Sequence, residues 1–187
     1  MAGLSDVLTA IQNGVAALNN LGVQVRGSFN NIAGQITANS AAIAALQTPS
    51  AFSVVKSSDQ SGIVDSTFTQ VAWQTEIYDI GNHFASNGWT PPAGKVHMDA
   101  TLLVTGAFPT GNQIACSVIK NATTLAQNNN GASSAIGGNS VAISVNDIAN
   151  GTDVYTIQVF ADVSSGTASV LSGAGAASFF GGFLVSS

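Results

Sequence analysis

What this sequence has least of is charge. Lys and Arg number 4 and Asp and Glu 9 in 187 residues, a net charge of -5 with 7% of positions charged, where a typical soluble domain carries about 25%. Four cations cannot track a phosphate backbone, which excludes nucleic-acid binding. The single cysteine, Cys116, excludes a disulfide framework and a thiolate zinc site. Two histidines, His83 and His97, are too few for most transition-metal centres, and no cofactor is expected. Gly173-Ala174-Gly175-Ala176-Ala177-Ser178 faintly echoes a dinucleotide loop, but no helix or ribose-binding acid follows it.

Asp162 is the last ionisable side chain, leaving an uncharged tail from 163 to 187. That length would suit a membrane span. The tail instead holds eight Ser or Thr and five Gly with no basic flank, and reads as strands without membrane insertion. Met1-Ala2-Gly3-Leu4-Ser5-Asp6 lacks the basic start of a signal peptide, so assembly in a cytoplasm is expected. The sequons at Asn121 and Asn150 then carry no glycan. A hydrophobic share of 45% is ample for a core.

The first fifty residues repeat in alternating steps of four and three. The positions are Leu4, Leu8, Ile11, Val15, Leu18, Gly22, Val25, Phe29, Ile32, Ile36, Asn39, Ile43 and Leu46, and all but Gly22 and Asn39 are large apolar residues. Between them only Val7, Leu21 and Val23 are large and apolar. This is a coiled-coil seam. Val25 and Ile32 at d, with Ile at both a and d, shift the preference from two strands to three or more. Arg26 is the only charge at e or g, so salt bridges do not choose the partner. Three identical parallel chains are expected.

Each internal glycine costs a helix about 1 kcal/mol relative to Ala. At Gly22 either one helix runs through or two helices share a phase. Val7 and Leu21 widen the apolar stripe near the N-terminus, as an anchor for another protein or as extra core contacts. Asn39 sits at a d position, and Ile36-Thr37-Ala38-Asn39-Ser40-Ala41-Ala42-Ile43 resembles the stalks of trimeric adhesins and phage fibres. The resemblance implies three inward amides holding an axial anion. A register-fixing polar layer with water is the plainer alternative.

Pro49 ends the helix and disfavours helix at Thr48, and the period then changes to two. Val96, Met98, Ala100, Leu102 and Val104 alternate with His97, Asp99, Thr101, Leu103 and Thr105, predicting a half-buried strand. Ile114, Cys116 and Val118 predict a second, Val141, Ile143 and Val145 a third, and Tyr155, Ile157 and Val159 a fourth. Asn150-Gly151 predicts a tight hairpin between the last two. The run Phe179 to Val185 suits a central strand. Many short strands without a helix predict a jelly-roll sandwich.

The segments Tyr78-Asp79-Ile80-Gly81-Asn82-His83-Phe84 and Trp89-Thr90-Pro91-Pro92-Ala93-Gly94-Lys95-Val96-His97 resemble the complement globular-head family, whose members resemble tumour necrosis factor in fold. The family's last strand carries Phe-x-Gly-Phe-Leu, here Phe180-Gly181-Gly182-Phe183-Leu184. Residues 52–187 carry the likeness, although Val96 stands where the family commonly has Tyr. It implies a ten-stranded jelly roll packed as a trimer about a three-fold axis.

No nucleophile accompanies His83 or His97, and Cys116 shares the apolar parity of a core thiol, so no enzyme is expected. Glu76 and Asp79 read as a loop carboxylate and a turn residue. Asp147, Asn150 and Asp153 could offer oxygens to calcium or form an ordinary turn. Residues 121–140 read as a long polar loop. Its Asn128, Asn129, Asn130 and Asn139, with the turn at 106–112, are the candidate receptor contacts, because amides both donate to and accept from sugars.

The expectation is therefore an N-terminal α-helical trimeric coiled coil, residues 1–48, followed by an all-β jelly-roll knob, residues 49–187. Such a chain reads as a homotrimeric bacteriophage virion fibre. Its N-terminus would be held by a capsid, portal/adaptor or tail protein, and its knob would serve adhesion to host-surface glycans or capsid decoration. A stalk of this length reaches only about 65 Å, which fits a head fibre or short tail fibre. The alternative is a soluble bacterial complement-like trimeric binding module.

Overall fold

The computed structural model describes residues 3–47, 49–109, 111–133, 138–173 and 178–186. The chain divides into two compact units, Met1–Thr48 and Pro49–Ser187.

The first unit is one helix, α1 (Leu4–Gln47), about 66 Å long at 1.5 Å per residue. Its first turn is capped from within: the Gly3 N–H donates to Asp6 Oδ2 at 3.0 Å and the Asp6 N–H to Gly3 O at 3.0 Å. The carboxylate also sits favourably at the positive end of the helix dipole. The helix runs unbroken through Gly22 and Gly27, which settles the choice between one helix and two. Thr9, Ser28 and Thr37 donate their hydroxyls to the carbonyls four residues back. Among the described residues no helix is long and apolar enough to cross a membrane.

The second unit is a two-sheet sandwich with thirteen strands among its described residues. They are β1 (Ala51–Val55), β2 (Gln60–Ile63), β3 (Thr69–Gln70), β4 (Thr75–Ile80), β5 (Phe84–Ala85), β6 (Gly88–Trp89) and β7 (Gly94–Thr105). There follow β8 (Gln113–Lys120), β9 (Thr123–Gly131), β10 (Asn139–Ala149), β11 (Tyr155–Ala161), β12 (Ala168–Val170) and β13 (Phe179–Ser186). Three of them, β3, β5 and β6, are two-residue segments; the longer ones number the ten that the resemblance implies.

In the larger sheet β7 is central, with β10 along one edge and β13, β1 and β4 in turn beyond the other. β12 and β2 continue that second edge at Thr105 and Val104. The smaller sheet runs β5-β6-β11-β8-β9, with β3 also on β11. Every paired strand is antiparallel.

The predicted alternation on β7 holds: Val96, Met98, Ala100, Leu102 and Val104 are buried and the residues between them half-buried. Phe52 anchors one end of the core, its ring 4.7 Å from Phe180, 4.9 Å from Trp89 and 5.1 Å from Phe84. Gly182 is required there, because an added Cβ would lie 2.8 Å from His97 O and 3.0 Å from Phe52 Cε1.

Two local expectations are overturned. Asn150-Gly151 makes no hairpin: β10 pairs with β7 and β11 with β8, so this turn carries the chain from one sheet to the other. Nor is 121–140 a loop. Residues Thr123–Gly131 form β9, hydrogen-bonded along β8. The hairpin between them turns on Asn121 and Ala122, both at positive φ (49° and 67°), the geometry of a two-residue type I′ turn.

Candidate assembly interface

Each unit carries an apolar surface of its own. On α1 the seam residues Leu4, Leu8, Ile11, Val15, Leu18, Val25, Phe29, Ile32, Ile36 and Ile43 are between 44% and 88% exposed. Leu21, Val25, Phe29 and Ile32 line a groove along it. Asn39 lies on the same helix, while the side chain of Leu46 lies outside the described residues. Isolated helices owe little to propensity, and a stripe of this size in water is a surface to be covered.

On the knob the surface lies on the side of the larger sheet facing away from the core. The register aligns Ile80, Ala51, Phe183, His97 and Asn146 across five strands. The next row is Tyr78, Ser53, Gly181, Asp99 and Ser144. Phe183 is 45% exposed, and Tyr78, Ile80, Ile148 and Val185 are exposed beside it. Between these apolar side chains the small residues Ala51, Ser53 and Gly181 keep the face flat. The run at Phe179–Val185 suits a central strand and forms one, between β7 and β1; within one chain only its inward face, with Phe180 buried, is covered.

His97 stands in the middle of this face, its ring 5.2 Å from that of Phe183. Nδ1 lies 2.7 Å from Asn146 Oδ1 and Nε2 2.9 Å from Asp99 Oδ2. An imidazolium donates to both; a neutral ring donates to one, with the Asn146 amide turned to suit. Asp99 thus orients His97, yet no nucleophile is among its contacts. His83 lies in a tight turn after Gly81 (φ +97°), where Asp79 accepts the backbone N–H groups of His83 and Phe84 at 3.0 and 2.9 Å. Asp79 is a turn residue here. Glu76 lies on β4. Cys116 is buried, and desolvation pushes its thiol up to about 12, so it holds no reactive thiolate.

The calcium candidates surround a resident cation. Lys120 Nζ, at the end of β8, donates to Asp147 Oδ2 at 2.8 Å and to Ile148 O at 2.9 Å, and lies 3.1 Å from Asp153 Oδ2. Tyr155 Oη donates to Asp147 Oδ2 at 2.7 Å and Asn121 Nδ2 to Asp153 Oδ1 at 2.6 Å. Asn150 Oδ1 instead receives the N–H groups of Thr152 and Asp153, an Asx turn. Burial opposes ionisation of Asp147, but hydrogen bonds from Lys120 and Tyr155 outweigh it and hold its pKa below the usual value. Burial likewise opposes ionisation of Asp153, and the Asn150 N–H, Lys120 and Asn121 outweigh it. The Asp147 hydrogen bond raises the Lys120 pKa, while burial, then Asp147, raises that of Tyr155. No group of three His, Cys, Asp or Glu among the described residues is placed to hold a metal.

The candidate receptor asparagines are not one loop surface. Asn128 and Asn130, on β9, turn their amides toward β10 and donate to Ala142 O and Ser140 O at 2.7 and 2.8 Å, stitching together the edges of the two sheets. Asn139 exchanges hydrogen bonds with the Ser133 backbone. Asn129 faces the other way, accepting from Gln127 Nε2 at 2.7 Å. In the turn at 106–112, Asn112 donates to Asp162 O at 3.0 Å. Thr110, residues 134–137 and residues 174–177 of the glycine-alanine segment lie outside the described residues.

What the sequence reading missed here, the face of Tyr78, Ile80 and Phe183 and the cation Lys120, had faint signals. One was the double-sided apolar run; the other was a lysine closing a hydrophobic strand.

No protein-family model matches the chain, and no curated protein matches it. Among solved structures it is similar to murine APRIL at pH 5.0, with a TM-score of 0.55 and 15% identity over 73% of this chain and 99% of that one. Murine APRIL at pH 8.5 gives a TM-score of 0.53 at 15% identity, over 73% and 98%. The likeness is one of fold and covers about as much of the chain as the sandwich does: a jelly roll of the tumour-necrosis-factor kind, which in this chain follows the long helix α1.

Proposed function

We propose that this chain is a non-enzymatic homotrimer forming a short fibre, a head fibre or short tail fibre, on a bacteriophage particle. Residues 1–48 form the stalk, held at the N-terminus by a capsid, portal/adaptor or tail protein, and residues 49–187 the displayed knob. The knob serves host-surface adhesion or capsid decoration, and assembly takes place in the host cytoplasm. One observation carries the reading: stalk and knob each leave exposed an apolar surface suited to further copies of the same chain. The β-branched d positions and the scarcity of charge at e and g support three copies over two. The fold likeness supports a knob able to join such an assembly.

Light scattering after size exclusion tests it. Three chains of 18.7 kDa give about 56 kDa for a closed C3 assembly; a monomer or dimer overturns the reading. A bacterial module unattached to a virion shares the knob but makes no use of the stripe at Leu4, Val7, Leu8 and Ile11. A chain lacking residues 1–22 that still trimerises but no longer joins particles separates the two.

A further inference from the structure

We infer that the outer face of the smaller sheet, where β11, β8 and β9 lie side by side, is a binding surface for an uncharged oligosaccharide. This rests on the reading of the knob as a displayed head and gives that head a ligand class and an address.

The register builds the surface. Gln158, Ser117 and Gln127 form one row across the three strands, and Phe160, Ala115 and Asn129 the next. These side chains point away from the core, which receives Ile114, Cys116 and Val118 from β8 and Ile157 and Val159 from β11. In these two rows the middle strand contributes only the small Ala115 and Ser117, between longer side chains on either flank, and Ile119 closes the row beyond them. Ala115 and Ser117 are 1% and 0% exposed, so a ligand reaches this floor only by parting the side chains that flank it.

Ser117 marks the floor as a place for a ligand. Its Oγ is buried and has no hydrogen-bond partner among the described residues. Such a hydroxyl forfeits about 1–3 kcal/mol of hydration unless something satisfies it, and native structures carry few of them. A sugar hydroxyl entering between Gln158 and Gln127 can donate to it or accept from it.

The flanks suit the same ligand. On one side Phe68, 42% exposed, packs on Phe160 with ring centroids 5.1 Å apart. That apolar platform matches the C–H face of a pyranose ring. On the other side Gln127 and Asn129 are held together by their 2.7 Å hydrogen bond. Their remaining amide groups can read equatorial hydroxyls as donors and acceptors. None of these residues is charged, so nothing here recognises a sulfate, phosphate or sialic carboxylate. The face lies on the opposite side of the sandwich from Tyr78, Ile80 and Phe183, so assembly through those residues leaves it open.

The test is an array of uncharged oligosaccharides built from glucose, galactose and N-acetylhexosamines, with sulfated and sialylated members alongside, probed with the full chain. The expected result is retention on uncharged members. Gln158→Ala and Phe68→Ala should each weaken it at least tenfold, with the mass in solution unchanged. Retention only on charged members, undiminished retention by the double variant, or no retention at all overturns the inference. A fall in assembly mass on Phe68→Ala also overturns it, because the face would then be covered by another copy. A trimer that binds no sugar defeats this inference alone, whereas a monomer defeats the assembly reading beneath it.

Discussion

The stalk and the knob use apolar residues in opposite ways. In the knob they converge: Phe52, Trp89, Tyr155 and Phe180 meet at zero exposure in a core that one chain completes. In the stalk every described large apolar side chain on the four-three repeat faces solvent. A helix has one apolar stripe and, within its own unit, nothing to bury it against. The knob completes its core within the chain and leaves a second apolar face exposed.

The sharpest way to break this contrast is Ile32→Asp. Carboxylates in the seam should cost more than about 5 kcal/mol across three copies. Circular dichroism should lose the helical signal while the tryptophan fluorescence transition of the knob stays put. A loss of both together would show that the two units fold as one. Phe180→Ala reverses the pattern, costing the knob about 3–5 kcal/mol in its denaturant midpoint and leaving helicity intact at low denaturant.

A third test concerns the polar clasp between the sheets. Lys120→Met leaves Asp147 and Asp153 without their cation, and should lower the knob's melting temperature. The pH dependence has a definite sign. Both carboxyls lie below their usual value when folded. Their contribution is therefore complete above an unfolded pKa of about 3.9 and disappears as pH falls through the lower folded values. The Lys120 pKa is raised, so its contribution is complete below about pH 10.4 and is lost as pH rises through the folded value. Thermal melts at stepped pH should show both flanks in the parent, and Lys120→Met should flatten them.

The smallest effect belongs to Ala122→Gly. Ala122 holds a φ of 67° in the β8–β9 turn, where a Cβ costs about 1 kcal/mol or more. Glycine should raise the knob's melting temperature slightly without changing the assembly mass.

The N-terminal helix, the strand at 94–105 and the closing strand were legible because each depends only on side-chain period. The hairpin at Asn121-Ala122 was not, since Ala is an unusual residue for positive φ and masks the signal that Asn-Gly would carry. The reverse error occurred at Asn150-Gly151, a hairpin dipeptide whose flanking strands belong to different sheets. The polar residues 123–131 read as a loop because an edge strand buries little. Two of their four amides, Asn128 and Asn130, are spent on β10, and that bridge is invisible to any local rule.

By itself, then, the sequence determined the change of period at Pro49, the long helix before it and which face of the strand at 94–105 turns inward. These follow from geometry that repeats within a few residues. Only the tertiary structure decided that Lys120 would stand between Asp147 and Asp153, and that Tyr78 would share a face with Phe183. It also decided that Ser117 would lie between Gln158 and Gln127. Those neighbours are 10 to 105 residues apart in the chain, and strand order, which no local period encodes, is what brings them together.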